Sequence, residues 1–113
     1  MNPKPVFLSI PYSHPDPEVI EARVVVLYKA IAHFMKLGQV PIAPCTNHAV
    51  VKHVTLPSDW AYWQKYSETL LGLCGKMVII RLEGWETSTG VNGEIAYCKA
   101  NGIPIEYIDP WVF

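Results

Sequence analysis

The stretch KMVIIRL (residues 76–82) decides the fold. It is a continuous, β-branched apolar run with no polar alternation. Such a run suits a strand covered on both faces, at the centre of a parallel sheet. Three other segments read as strands around it. KPVFLSI (4–10) is short, apolar and bounded by prolines, and IPIEYI (103–108) closes the chain's regular structure. QVPIAP (39–44) also reads as a strand, and its proline argues for a sheet edge.

The segments between these strands carry helical periodicity. From Glu18 to Leu37, the residues Ile20, Val24, Leu27, Ile31, Phe34 and Met35 recur at three- and four-residue steps. Asp16 is placed as N-cap, Pro17 as first helical residue and Gly38 as the stop. A second helix is expected over 58–75, capped by Ser58 or Asp59, with an inner stripe of Trp63, Ser67, Leu70, Leu71 and Cys74. A third is expected over 91–101 and ends at Gly102. PYSHPDP (11–17) cannot be regular, because three prolines fall within seven residues. Residues 45–57 read as a long connection of a length that often carries function. The order β-α-β-α-β-α-β implies a three-layer α/β/α arrangement. Its parallel sheet has four strands, with a fifth allowed for, and right-handed crossovers.

Composition narrows the function classes. The 113 residues read as a single domain, 1–113, half of it hydrophobic and 17% charged. A net charge of −1 gives no basic surface for a nucleic acid polymer. No apolar run is long enough for a membrane span, and no signal-peptide pattern opens the chain. Cys45, Cys74 and Cys98 make no even framework and no Cys-x-x-Cys pair. They read as reduced thiols of a cytoplasmic protein.

In such a fold, ligands bind beyond the carboxyl ends of the strands, where the strand order reverses. PYSHPDP and EGWETSTG (83–90) fall there. The helix pattern that follows puts Val91, Ile95 and Cys98 on one face, and Glu94 falls on that same inward face. A capping box would need Ser or Thr at position 91, which is valine. Glu94 is therefore either a solvated residue favoured by the helix N-terminus or a carboxylate at a pocket floor, able to act as nucleophile or base at a sugar carbon. Ser88, Thr89 and Gly90 either cap the helix or receive an anion such as phosphate, and Gly90 and Gly93 permit close backbone approach. No Walker lysine follows, and no cofactor is expected. Ser67 either bonds back to a carbonyl one turn earlier or bonds near Glu94. Tyr12 can stack on a base or sugar, or bond a carboxylate. Trp85, just before the Ser-Thr-Gly run, is the expected wall of a base pocket. His14, His33, His48 and His53 show no metal-ligand spacing, and no metal site is expected. His33, beside the apolar stripe, reads as structural. The terminal DPWVF carries apolar residues that could dock on this chain or on a partner.

FLSIPYSHPDPEVIEAR, LPSDWAYW and RLEGWETSTGVNGEIAYCKANGIPIEYID together resemble the nucleoside 2-deoxyribosyltransferase-like superfamily, in a branch of short bacterial and phage proteins. The likeness runs from about Val6 to Asp109. It implies a flavodoxin-like Rossmannoid fold that cleaves or transfers the N-glycosidic bond of a nucleoside or nucleotide. Glu94 then attacks the anomeric carbon. Tyr12 matches the family's loop tyrosine, and Ser88 and Gly90 match the phosphate-binding helix start of members that act on 5′-monophosphates. Ser67 stands where relatives usually carry an aspartate that orients the glutamate or the sugar hydroxyl, and Gly75 replaces a second aspartate. The expected catalytic set is Glu94, Tyr12 and Ser67. Ser9, Pro11, His14, Trp63, Trp85, Ser88, Gly90 and Asn92 form the expected substrate-binding set. A homodimer or larger homo-oligomer is expected, as is a small-molecule nucleoside or nucleotide partner. A nucleotide-binding or nucleotide-sequestering protein without turnover is the alternative, and an interaction protein that merely uses the fold is a third reading.

Overall fold

The computed structural model describes residues 4–113. Four parallel strands form one sheet: β1 (Val6–Ser9), β2 (Pro41–Ile42), β3 (Lys76–Ile80) and β4 (Ile105–Ile108). Their spatial order is β2-β1-β3-β4. β3 lies inside, paired with β1 from Val6↔Lys76 to Ser9↔Ile79 and with β4 from Met77↔Ile105 to Ile80↔Ile108. The sheet order reverses between β1 and β3. This is the α/β arrangement with a flavodoxin-like topology that the sequence implies, and the described residues form four strands.

Alternation along the strands builds a core on each face. Val6, Leu8 and Ile10 join Val78 and Ile80 beneath Leu27, Ala30 and Phe34 of α1 (Pro17–Lys36). On the other face, Phe7, Met77 and Ile79 meet Leu71 of α3 (Trp60–Leu71) and Val91 and Cys98 of α4 (Thr89–Asn101). Ser9 follows Phe7 on this second face.

Helix α1 is stopped at both ends by its own sequence. The Asp16 carboxylate accepts from the Glu18 N–H at 2.9 Å, with Pro17 as first residue. Past its end, Gly38 sits at φ 79°, and the N–H groups of Gly38 and Gln39 return to the carbonyls of Met35 and Phe34. Phe113 folds back against His33, ring centroids 5.2 Å apart, while Trp111 stays 80% exposed. The chain end thus docks on its own α1, and His33 has the structural place expected of it.

Helix α3, expected over 58–75, spans only Trp60–Leu71, and three further segments differ from expectation. The second strand shrinks to Pro41–Ile42, because Pro41 offers no N–H and Pro44 starts a 3₁₀ turn through Asn47. The connection 45–57 is not irregular throughout, since α2 (His48–Val51) follows that turn directly. Helix α4 begins at Thr89 rather than 91, because the Ser88 hydroxyl accepts from the Val91 N–H at 3.2 Å. Among the described residues, no helix is long and apolar enough to cross a membrane.

Leu27 is fully buried and Val25, on the same helix, is 47% exposed. Leu27→Ala should lower unfolding free energy by about 3 kcal/mol, and Val25→Ala by less than about 0.5 kcal/mol, in urea titrations.

Candidate functional site

A cleft of about 1000 Å³ opens beyond the carboxyl ends of β1 and β3, at the reversal of strand order. One wall is the loop after β1, Pro11 to His14. The segment from Pro44 through α2 and the approach to α3, Leu56 to Trp60, form another. Thr87, Ser88, Thr89 and Gly90 bring in the start of α4, and Glu94 lies one turn deeper.

Glu94 is only 8% exposed. The Ser9 hydroxyl donates to its Oε1 at 2.6 Å, joining the last residue of β1 to α4. Burial raises the Glu94 pKa to about 7, against the opposing pull of the Ser9 and Ser67 hydroxyls. Ser67 is buried and turned to this carboxylate. The alternative expected for Ser67, a bond back to a carbonyl one turn earlier, is not among the hydrogen bonds of the described residues; Thr69, two residues on, makes such a bond to the Lys65 carbonyl at 2.7 Å. Two cysteine thiols feel the buried carboxylate as well. Cys45 is raised well above the ordinary thiol range and Cys98 to about 11, each by burial first and by the Glu94 charge second.

Tyr12 lines the cleft, and its hydroxyl meets a histidine rather than a carboxylate. The Tyr12 oxygen is 2.6 Å from His48 Nδ1, and His48 Nε2 is 2.9 Å from Glu21 Oε1. Pro11 is buried at the cleft edge. His14 is exposed there, its Nδ1 accepting from the Asp16 N–H at 3.0 Å. Trp63 lines the cleft and donates to the Pro57 carbonyl at 2.8 Å, which pins the segment before α3. Ser88 and Gly90 line the mouth, with Ser88 serving as the α4 cap. The structure thus brings Ser9, Pro11, Tyr12, His14, Trp63, Ser67, Ser88, Gly90 and Glu94 to one region.

Two expected residues lie elsewhere. Trp85 is not a cleft wall. Gly84, at φ 91°, turns the chain so that Trp85 packs on Tyr107 of β4, ring centroids 5.5 Å apart, and against the core of that face. Asn92 is exposed and turned away from the cleft, its amide donating to the Glu86 carbonyl at 3.0 Å. The role expected of Gly93 changes too. A Cβ there would lie 2.4 Å from Trp60 ring carbons, so its bareness admits Trp60 and not a ligand.

Three further residues shape the site. Trp60 opens α3 and lines the cleft across from α4, and the glycine one turn into α4 was its sequence signal. Arg23 donates to the carbonyls of Ser13 at 3.0 Å and Glu83 at 2.9 Å, clamping the loops after β1 and β3 together. Its signal was an arginine amid the apolar stripe of α1, between Ile20 and Leu27. His48 had no local signal, because its partners Tyr12 and Glu21 are distant in sequence.

Two outcomes follow from this packing. Since the folded pKa of Glu94 exceeds its ordinary value, the native state holds an extra proton between about pH 4.5 and 7. Its contribution is fully present below that window and is lost as pH rises through it, by about 3 kcal/mol. Glu94→Gln should therefore be more stable than the parent at pH 8 and nearly equal to it at pH 4.5, by urea unfolding at each pH. Gly93→Ala should displace the Trp60 ring, cost about 1–3 kcal/mol and shift tryptophan fluorescence.

No curated protein matches the chain. A match to a known family runs from Lys4 to Asp109, and so takes in all four strands and every side chain just placed around the cleft. On that match the chain belongs to the family described as a domain of unknown function, DUF1937.

Proposed function

We propose that the protein breaks the N-glycosidic bond of a nucleoside or nucleoside 5′-monophosphate, by hydrolysis or transfer, with Glu94 as nucleophile. The observation that carries this reading is a buried carboxylate at the floor of a cleft at the sheet's switch point, held by Ser9 at 2.6 Å. The likeness of the sequence motifs to the nucleoside 2-deoxyribosyltransferase-like superfamily supports the same assignment. In the first step, an ionised Glu94 oxygen bonds the anomeric carbon as the C–N bond breaks and the base leaves. Water, or a second base, then displaces the carboxylate from the sugar. The open N–H groups at Thr89 and Gly90 suit a 5′-phosphate, since the α4 dipole points its positive end there. The reading carries with it a cytoplasmic homo-oligomer acting on a small molecule.

A second reading, a protein that captures a nucleotide without turnover, is favoured by Ser67. A neutral hydroxyl stands beside Glu94 where relatives usually place an orienting aspartate.

Purified protein incubated with nucleosides and 5′-monophosphates, followed by chromatography for free base, separates the two. Base release should occur and should rise as pH rises through about 7, because the nucleophile must be ionised. Glu94→Gln should lower it on the order of a thousandfold or more while the protein still binds substrate. A ligand that raises the melting temperature and returns intact, with no base released at any pH, sinks the enzyme reading and leaves the binder.

A further inference from the structure

The chain Tyr12–His48–Glu21 does nothing for Glu94 directly, and its geometry is that of a proton path. Tyr12 presents its hydroxyl at the cleft wall. Its oxygen is 2.6 Å from His48 Nδ1, with the rings edge to face at 5.6 Å. His48, its side chain 10% exposed, places Nε2 2.9 Å from Glu21 Oε1. Glu21 is half exposed and also meets Lys52 Nζ at 3.2 Å. The path thus runs from the cleft, through a nearly buried imidazole, to a carboxylate in contact with solvent. Three segments distant in sequence supply it: the loop after β1, the start of α2 and the first half of α1.

The charges around the path set its two states. The His48 contact is the main reason the Glu21 carboxyl is held below its ordinary range. Lys52 draws on the same carboxylate. The Cys45 thiol and the Tyr28 hydroxyl also face Tyr12. With His48 protonated, Nδ1–H donates to the Tyr12 oxygen, and the Tyr12 O–H is turned toward the cleft. With His48 neutral, Tyr12 donates to Nδ1, and its oxygen is free to accept a proton from the cleft.

We propose that Tyr12 and His48, with Glu21 as the orienting carboxylate, form the acid–base relay that protonates the departing base and later takes a proton from water. The proposal rests on the glycosidic reading of Glu94 and supplies the second group that reading lacks. In the first step, the C–N bond pair goes to the base nitrogen, which receives the Tyr12 proton. The His48 Nδ1 proton moves to the Tyr12 oxygen, and Glu94 holds the sugar as an ester. In the second step, a water oxygen attacks the anomeric carbon and the ester bond breaks, restoring the Glu94 carboxylate. The water proton passes to Tyr12, whose own proton returns to His48. Over the cycle, a nucleoside and one water give a free sugar and a free base, and both side chains regain their starting protons.

Leaving-group chemistry tests this. A purine nucleoside needs its base protonated as the bond breaks, whereas its N7-methyl counterpart already carries a cationic base and needs no proton. Base release by the parent, Tyr12→Phe and His48→Gln should be measured in a single turnover with enzyme in excess, which reads the first step alone, on inosine and 7-methylinosine and on their 5′-monophosphates, from pH 5 to 9. Both variants should lose about a hundredfold or more on the unmethylated substrates and stay within a few-fold of the parent on the methylated ones. Such a split is not expected of a mere loss of packing, which would slow both. Equal losses on both substrate types, or no loss on either, overturn the relay while leaving Glu94 in place. A parent that releases no base from these four or from any other nucleoside or 5′-monophosphate overturns the glycosidic reading and the relay with it.

Discussion

The hydrogen bond from Ser9 to Glu94 stands where the core beneath α3 and α4 stops. Up to that level, β1 and β3 give this face Phe7, Met77 and Ile79, and the helices answer with Leu71, Val91 and Cys98. One register further along β1, the side chain is a hydroxyl. One turn further into α4 from Val91, it is a carboxylate. Apolar packing fixes the two backbones, and the two polar groups then meet at 2.6 Å without a loop to position either. A site built on a strand end and a helix keeps its geometry better than one built on flexible segments. The rest of the cleft, including the loops clamped by Arg23, is arranged around that pair.

Burying Glu94 works against folding, and the structure meets that cost with few means. No cation is among the groups that shift its pKa, which are burial and two hydroxyls. The pKa of the carboxyl is therefore raised to about 7. Perturbed groups of this kind gather at functional sites, although structural networks also produce them. Here the perturbation coincides with the strand-order reversal and with the cleft that opens there.

The layered fold was legible in the sequence because its signals are local. The unbroken run at 76–80, the stripe of α1, the Asp16 and Gly38 stops and the proline of the edge strand each act within one element. The inward place of Glu94 was legible for the same reason, since helix periodicity alone sets it. Side chains in loops were less legible. Trp85 directly follows Gly84, whereas Trp60 opens α3 with no glycine near it in sequence, and its partner Gly93 lies on α4. The positive φ of Gly84 sends Trp85 out to Tyr107, while the bare backbone of Gly93 draws Trp60 in. Asn92 lies off the inward stripe of Val91, Glu94 and Cys98, and its amide turns to the Glu86 carbonyl. Position 92 thus belongs to the exposed side of the first turn of α4. His48 is the extreme case, since both of its partners come from other elements.

Ser67 gives the site a different electrostatic character from one with an aspartate at that position. Two carboxylates in such a space could not both ionise readily, and one pKa would be driven further upward by the other's charge. With serine there, Glu94 meets desolvation and two hydroxyl donors, with no second carboxylate charge among the causes of its shift. The hydroxyl can still donate to the charged carboxylate, but it cannot accept as strongly from a sugar hydroxyl. Whatever orientation a charged neighbour would have supplied must come from the fixed backbone, through Ser9 below and the Trp60–Gly93 contact beside it. Packing thus aims Glu94, and the hydrogen-bonded pair of Tyr12 and His48 stands on a separate wall of the cleft.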